Sequence, residues 1–173
     1  MTFRFATAAD IPALIELVES AYRGDVSRRG WTTEADMLDG RRTGADDLHD
    51  CISDPNGGIL MLLDKEQILG CANISVQDGA GYFGMFAVTP NLQNAGIGKR
   101  ILAEAERIAR DDWQQQTMRM TVIDIRDELL AFYARRGYRR TGTTKPFPYG
   151  DERFGLPRRD DLQFEILEKD LTP

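Results

Sequence analysis

A glycine-rich stretch followed by a helical pattern is the part of the sequence whose residue types most clearly suggest chemistry. It reads Gln93-Asn-Ala-Gly-Ile-Gly98 and lies between an apolar run, Phe83–Val88, and a long amphipathic pattern that begins at Ile97. Glycine lets the backbone come close to a ligand, and the first turn of a helix has N–H groups without intrahelical acceptors. With the positive end of the helix dipole, these donors favour an anion by roughly 0.3–1 kcal/mol at an exposed site. The stretch therefore predicts a phosphate-binding turn.

Two other phosphate-binding patterns fit this stretch less well. A P-loop requires Ser or Thr after Gly-Lys, whereas Arg100 follows Gly98-Lys99 here. A dinucleotide-binding fingerprint would have a third glycine where Ile101 stands. Asp124 is placed like a ribose-binding acid, but the sequence lacks the further strand–helix repeats of a dinucleotide fold. The interpretation that the glycines only begin a helix stays open at this point.

The composition indicates an ordered globular protein and argues against one class of partner. The chain has 173 residues, 42% of them hydrophobic, which is enough for one domain with a sizeable core. Its net charge of −6 and its pI of about 4.9 argue against nucleic-acid binding, which needs a basic face. The acidic balance is compatible with a cationic substrate, but it is also the usual way for a protein to stay soluble.

The cysteines and the histidine argue against redox, metal and histidine-based hydrolytic sites. Cys51 and Cys71 have neither metal-binding nor redox spacing, and we interpret them as small buried residues of a reduced, cytoplasmic protein. A Ser-His-Asp mechanism or a multi-histidine metal site would have to rely on His49 alone, so we expect no metal. The sequence has no signal peptide and no apolar run of about 18 residues, so we expect no association with a membrane.

The hydrophobic pattern predicts strands and helices on both sides of the glycine-rich stretch. Before it, we predict an edge strand at Thr2–Ala6, a helix from Thr7 or Asp10 to about Arg23, short helices at about Thr33–Asp39 and Ala45–Ser53, and an antiparallel meander of Ile59–Leu63, Gln67–Val76 and Tyr82–Val88. After it, we predict a helix at Ile97–Trp113, a strand at Met118–Ile123, a helix at Asp127–Arg136 and strands at Tyr138–Thr143 and Leu162–Leu167. The strand at Met118–Ile123 should lie parallel to Tyr82–Val88, because a helix connects them.

The order of these elements and two motifs resemble the GCN5-related N-acetyltransferase (GNAT) family. The family signature at the helix start is Arg/Gln-x-x-Gly-x-Gly/Ala, and Gln93, Gly96 and Gly98 match it at all three places. Val88-Thr-Pro90 extends the match upstream, and Leu130-Ala-Phe-Tyr-Ala-Arg-Arg-Gly-Tyr138 resembles the second family motif. The resemblance implies an α/β fold of the α+β type, with a mixed central sheet of about six to seven strands flanked by about four to five helices. It also implies a single acetyltransferase domain over residues 1–173.

The resemblance implies acetyl-CoA as the acyl-donating co-substrate. In the family the amides of the glycine-rich loop hold the pyrophosphate, and the splayed end of the preceding strand pairs with the pantetheine arm. The cofactor-binding residues implied here are Phe86, Ala87, Val88, Gln93, Asn94, Ala95, Gly96, Ile97, Gly98 and Lys99. Arg126 stands where many members have an Asn that contacts the arm, so that role is not carried over. Arg126 is a candidate for contact with a cofactor phosphate or a substrate carboxylate, or for a structural place at the helix start.

The resemblance implies that Tyr133 is the catalytic residue. In the family a tyrosine at this place hydrogen-bonds the thioester sulfur and can protonate the departing thiolate. A phenol has a pKa near 10 and a thiol near 8.5, so complete proton transfer is uphill by roughly 2 kcal/mol. A hydrogen bond to the developing charge on sulfur is therefore part of the expected benefit. The alternative, that Tyr133 is a buried core residue beside Phe132, also stays open.

The reaction implied is direct attack of an amine on the acetyl carbonyl, with the oxyanion stabilised by a backbone N–H near Val88. An alkylamine has a pKa near 10.4, so it arrives charged and must lose a proton before it attacks. The sequence does not identify the base. Glu34, Asp124 and a chain of water molecules are the candidates.

Two irregular segments, Arg23–Asp39 and Lys145–Asp161, are expected to determine which acceptor is used. The candidate substrate-binding residues in them are Trp31, Glu34, Phe147, Tyr149 and Phe154. We expect the acceptor to be the amine of a small molecule or a peptide. The rival hypotheses are an acyl-CoA-binding regulatory module without turnover and an acyltransferase that uses another acyl group or an oxygen acceptor. Dimers are common in the family, so a homodimer is compatible with the sequence, but no residue identifies one.

Overall fold

The computed structural model describes residues 1–22, 38–39, 44–93, 95–146, 156–157 and 161–172. Its strands are β1 (Thr2–Phe5), β2 (Leu38–Asp39), β3 (Gly57–Asp64), β4 (Gln67–Gln77), β5 (Ala80–Val88), β6 (Thr117–Ile123), β7 (Arg139–Pro146), β8 (Leu156–Pro157) and β9 (Gln163–Asp170). The α-helices within these ranges are α1 (Ile11–Tyr22), α2 (Ala45–Ser53), α3 (Ile97–Arg107) and α4 (Asp127–Ala134).

Seven of the described strands form one mixed sheet in the order β1-β3-β4-β5-β6-β9-β7. Its neighbouring pairs are antiparallel except β5 and β6, which are parallel and are connected through α3. The predicted mixed sheet of six to seven strands and the parallel step across the long helix are thus confirmed. The short strands β2 and β8 form a separate antiparallel ribbon.

Strand β3 shows how the two layers of helices cover the central strands. Ile59, Met61 and Leu63 face a cluster that includes residues of α1 and α2. Leu60 and Leu62 face the opposite cluster, which includes residues of α3 and α4. Successive side chains of a strand point to opposite faces, so a strand covered on both sides reads as a continuous apolar run. This is why 59–63 contains no polar residue.

The start of α1 is tied to the end of β1 by one carboxylate. A 3-10 turn at Ala8–Asp10 precedes the helix. The two predicted helix starts, Thr7 and Asp10, are the N-cap and the last residue of this turn. The Asp10 carboxylate accepts hydrogen bonds from the Arg4 guanidinium at 2.8 and 2.9 Å and from the Thr7 amide at 2.8 Å. The bond from Arg4, aided by the Thr7 amide, lowers the pKa of Asp10 to about 2.

Several predicted element bounds differ from the structure. The predicted helix at Thr33–Asp39 is wrong at its end, because Leu38 and Asp39 pair as a strand with Leu156 and Pro157; residues 33–37 lie outside the described ranges. The α-helix predicted to reach Trp113 ends at Arg107 and continues as a π-helical turn, in which the Trp113 amide donates to the Ile108 carbonyl at 3.0 Å. Helix α4 ends at Ala134, two residues before the predicted end. Pairing with a distant segment is not visible in a local pattern, and helix ends fray.

Candidate functional site

Strands β5 and β6 touch at one end and separate toward the other. Their ladder consists of two residue pairs, Gly81 with Met118 and Tyr82 with Arg119. Beyond these pairs β5 runs on to Val88 and β6 to Ile123. We call the opening between residues 83–88 and 120–123 the fork. Backbone groups on facing edges of such an opening cannot complete a ladder with each other, so an extended ligand with amide groups can pair with them. The predicted splayed strand end is therefore present.

A β-bulge bends β5 where it leaves β6. The register with β4 passes from Asn73–Gly84 to Cys71–Ala87, so β5 contains one extra residue there. Met85 has a φ of +46°, in the left-handed region that side chains rarely adopt. The bulge places Phe83 and Phe86 against the same core, with ring centroids 5.2 Å apart, although they are an odd number of residues apart. Two large aromatic residues three apart in a predicted strand are the sequence signal for this bulge, and the predicted regular strand did not include it.

The glycine-rich loop is open to solvent at Gly96. This residue is the N-cap of α3, with a φ of +79°, and a Cβ added to it would have no neighbour within 4 Å. The first i→i−4 bond of the helix runs from the Arg100 amide to the Gly96 carbonyl at 3.2 Å. The preceding amides of residues 97–99 therefore stand at the helix start as donors toward this open space. The geometry fits a phosphate group.

The charges at the start of α3 are opposite to those at the start of two other helices. Helices α2 and α4 each have two acidic residues in their first turn, as the helix dipole favours. The first turn of α3 has no acidic residue and instead contains Lys99, followed by Arg100, both exposed. Cations at this end disfavour the isolated helix. They suit an anionic ligand bound at the loop.

The other residues of the glycine signature hold the loop in place. A Cβ on Gly98 would lie 2.7 Å from Cζ of Phe86, so only glycine lets α3 pack this closely on β5. The Gln93 side chain donates from Nε2 to the Val88 carbonyl at 3.1 Å and ties the loop to the strand end. The side chains of Ala87, Val88 and Ile97 are buried. A ligand can therefore reach these last three residues only through their backbone.

Tyr133 lies in an aromatic cluster beside the β5 arm of the fork. Its side chain is only 3% exposed. Its ring centroid is 6.5 Å from that of Phe83, 6.4 Å from that of Phe86 and 5.4 Å from that of Phe132. Helix α4 thus brings the predicted catalytic tyrosine to the strand that is predicted to bind the pantetheine arm. Its core packing and its predicted catalytic role are compatible.

Tyr138 packs edge-on against Tyr133, with ring centroids 5.8 Å apart, but its hydroxyl group has a different environment. It donates to Oε1 of Glu106 at 3.2 Å, and Nζ of Lys169 lies 2.8 and 3.2 Å from the two Glu106 oxygens. Burial, together with the charge and hydrogen bond of Glu106, raises the pKa of the Tyr138 phenol above its ordinary value of about 10. Tyr138 therefore stays a neutral hydrogen-bond donor.

Arg126 and Asp124 follow the β6 arm of the fork. Arg126 is 3% exposed and begins α4: its carbonyl accepts from the amides of Leu129 and Leu130 at 3.1 and 3.0 Å. Its predicted contact with the cofactor or a substrate carboxylate stays a prediction. The Asp124 carboxylate accepts from the Gln163 amide at 3.3 Å, which places it on the β9 side of β6, away from the fork. This position does not favour Asp124 as the base that receives the amine proton.

The remaining predicted site residues lie outside the described ranges. They are Trp31, Glu34, Asn94, Phe147, Tyr149 and Phe154. Among the residues that are described, no group of three or more His, Cys, Asp and Glu could hold a metal ion. None of the helices in the described ranges is long and apolar enough to cross a membrane.

Comparison with known proteins identifies the family and the fold. The sequence model of the acetyltransferase (GNAT) family matches residues 14–138. No curated protein sequence matches the chain significantly. The ribosomal-protein-S18-alanine N-acetyltransferase of Escherichia coli is 14% identical, with a TM-score of 0.71 over 99% of this chain and 94% of that one.

Two further solved structures show the same likeness. The ribosomal-protein-alanine N-acetyltransferase of Brucella melitensis is 18% identical, with a TM-score of 0.70 over 98% of this chain and 99% of that one. The yncA protein of Salmonella typhimurium, solved with its cofactor acetyl-CoA, is 18% identical, with a TM-score of 0.70 over 100% of this chain and 95% of that one. At these identities the likeness establishes a shared fold.

Proposed function

Since the chain belongs to the acetyltransferase (GNAT) family and is therefore an enzyme, we propose that it transfers the acetyl group of acetyl-CoA to a primary amine of a small molecule or a peptide. The observation that supports this most directly is the fork between β5 and β6, which opens toward the cationic start of α3. An elongated ligand that combines an amide-containing arm with phosphates would match both parts. The fold is shared with a protein that was solved with acetyl-CoA.

The proposed donor site divides into a part for phosphate and a part for the arm. The amides from Gly96 to Lys99, with the charges of Lys99 and Arg100, would hold the pyrophosphate, whereas the Ala95 amide donates to the Leu92 carbonyl at 3.1 Å. The backbone of Phe86–Val88 would pair with the pantetheine arm as an added strand does. When bound, acetyl-CoA supplies an electrophilic thioester carbonyl and a thiol leaving group.

The proposed chemistry requires hydrogen-bond donors at two places. A backbone N–H of β5 on the closed-end side of Phe86 would stabilise the oxygen that becomes negative when the amine attacks; Val88, where the resemblance led us to expect this donor, is the last residue of β5 and lies at the open end of the fork. The Tyr133 hydroxyl would donate a hydrogen bond to the departing sulfur. The aromatic rings around Tyr133 exclude water from its surroundings, and this strengthens such a hydrogen bond. Direct attack in a ternary complex needs no covalent intermediate on the protein.

Two wider properties belong to the same proposal. Cys51 and Cys71 have neither metal-binding nor redox spacing, which supports a reducing compartment, and we propose the cytoplasm. A single domain over residues 1–173 and a homodimer stay predictions. They can be examined by limited proteolysis and by light scattering.

The proposal is tested by a panel of amines with acetyl-CoA. We expect CoA thiol release that depends on one class of amine, together with the acetylated amine as a product identified by mass spectrometry. Propionyl-CoA in a parallel series measures acyl preference. CoA binding without amine-dependent thiol release or acylated product would contradict the proposed function and favour a regulatory module.

A further inference from the structure

We infer that the hydroxyl groups of Tyr82 and Thr121 form the acceptor side of the site, where they bind the attacking amine nitrogen and transfer its proton toward solvent. The inference rests on the proposed function, which leaves the base unidentified. It begins from a contact across the fork that none of the motifs indicates: the Tyr82 hydroxyl lies 3.0 Å from Oγ1 of Thr121.

This contact lies where the two strands begin to separate. Tyr82 belongs to the last residue pair of the β5–β6 ladder, and Thr121 lies two residues beyond that pair on β6. The Tyr82 ring lies along β5 over Gly84: a Cβ on Gly84 would be 3.0 Å from its Cε1 and 3.7 Å from its hydroxyl oxygen. The hydroxyl therefore reaches past the last pair into the closed end of the fork. Tyr82 and Thr121 are both half-buried, so the pair is accessible.

The pair lies on the opposite face of the sheet from Tyr133. Phe83, the residue after Tyr82, belongs to the core cluster that contains Tyr133, and so do Met120 and Val122 on either side of Thr121. Because neighbouring residues of a strand point to opposite faces, Tyr82 and Thr121 face the side of α1 and α2. A thioester at the closed end of the fork would have hydroxyl groups on both faces. One face then serves the leaving sulfur and the other serves the attacking nitrogen.

A pair of hydroxyl groups has the donors and acceptors that this task requires. Each hydroxyl donates one hydrogen bond while it accepts another, and either oxygen of this pair can be the donor. As the C–N bond forms and the C–S bond breaks, the nitrogen proton passes to the Tyr82 oxygen. The Tyr82 proton passes to Thr121, and the Thr121 proton passes to water. The ammonium form has lost its extra proton to water before the attack. The sulfur receives a proton from the Tyr133 hydroxyl on the other face, and Tyr133 regains a proton from water, so neutral amine and thioester become amide and thiol with charge conserved.

Two charged side chains, one in β6 and one just after it, are engaged elsewhere. Arg119, the previous β6 residue on the same face, is paired with Glu168 at 3.0 Å. Asp124 is directed toward β9. Asn73 and Ser75 of β4 lie opposite Gly84 and Tyr82 on the same face. The contact between Tyr82 and Thr121 is one that bridges the two arms of the fork.

The test uses the amine that wild-type protein acetylates fastest. Tyr82→Phe keeps the ring over Gly84 but removes the hydroxyl, and Thr121→Val is its isosteric counterpart. We expect kcat to fall about 10- to 100-fold in each, with the KM for acetyl-CoA unchanged within two-fold. The double variant should be no slower than either single variant, because both remove one relay. Thr121→Ser should restore kcat, and Thr117→Val, on the same strand face before the fork, should leave it unchanged.

A second measurement does not depend on turnover. Calorimetry of the same amine with CoA-loaded protein should show about 3- to 10-fold weaker binding to Tyr82→Phe, as the loss of one hydrogen bond predicts. Urea unfolding reports whether each variant is folded. Unchanged kcat and amine affinity in folded Tyr82→Phe, or additive losses in the double variant, would overturn the inference and leave the pair as a clamp between strands. A wild-type protein that acetylates no amine would overturn the proposed function as well.

Discussion

Tyr133 and Tyr138 are packed against each other, yet their positions suggest different tasks. The Tyr138 hydroxyl donates to Glu106, and Glu106 also binds Lys169. Tyr133 instead contacts Phe83 and Phe86 on the arm of the fork. The same residue type can therefore be tested at two sites 5.8 Å apart, one beside the proposed donor site and one turned toward α3 and β9.

Tyr133→Phe is expected to lower kcat about 10- to 100-fold, because the variant lacks the hydrogen bond to the departing sulfur. The affinity for CoA, measured by calorimetry, should stay within about three-fold, since the ring that fills the cluster is kept. Tyr138→Phe is the matched control and should change kcat by less than about three-fold. Unchanged turnover in folded Tyr133→Phe would remove the proposed role.

Single hydroxyl groups in strands show the limit of prediction at this scale. Tyr133 and the signature glycines could be named from the sequence because they occur in motifs. Tyr82 and Thr121 belong to no motif, and 39 residues separate them. Only the register of two parallel strands brings them together, and no local pattern determines that register.

At the scale of the element, the start of α3 combines an open glycine with two cations. Gly79, in the turn between β4 and β5, has a similar φ of +75° and equally open space around its Cβ position. It lies at the opposite end of β5 from the glycine-rich loop. The same substitution would therefore strain the backbone similarly at both glycines, but only Gly96 lies at the proposed ligand site.

Gly96→Val is expected to weaken CoA binding by about 10-fold or more, because the side chain would occupy the space proposed for the phosphates and strain the loop. Gly79→Val should leave CoA affinity within about two-fold. Both variants should lose a similar amount of unfolding free energy in urea, roughly 1–2 kcal/mol. If Gly96→Val binds CoA as tightly as Gly79→Val does, the phosphate site is not at this loop.

Most elements could be predicted because local patterns determine them. Helix α2 was predicted at its observed bounds, and β3, β4, β5 and β6 within two residues at each end. The features that were missed are irregular: the bulge at Met85, the π-helical turn at Ile108–Asp112 and the pairing of β2 with β8. Each depends on packing or pairing with a distant segment. Such tertiary contacts outweigh local propensity.

At the scale of the whole molecule, one polar cluster joins distant parts of the chain. Glu106 comes from α3, Lys169 from β9, and Tyr138 from the residue between α4 and β7. Burial raises the pKa of the Tyr138 phenol, so the folded protein favours the protonated form. This stability is fully present below the ordinary tyrosine pKa near 10 and is lost as the pH rises toward the folded value.

The free energy of unfolding should therefore decrease more steeply above pH 10 in wild-type protein than in Tyr138→Phe. The difference in slope approaches about 1.4 kcal/mol per pH unit, since one proton is lost from the unfolded chain only. At pH 7 the variant should be roughly 1 kcal/mol less stable, because it lacks the hydrogen bond to Glu106. Urea unfolding at several pH values between 7 and 11 measures both quantities. Parallel curves for the two proteins would contradict the assignment.

The fork also divides the sheet by chain order. Strands β1, β3, β4 and β5 come from residues 2–88, and β6, β9 and β7 come from residues 117–170. Within each part the strands pair antiparallel, and β3, β4 and β5 follow one another through tight turns, so loop-closure entropy opposes the formation of this meander only weakly. The seam between the parts is parallel, requires the whole α3 crossover, and consists of two residue pairs. We therefore expect this seam to form late in folding and to open at low cost afterwards, which places the proposed site at the most easily opened line of the sheet.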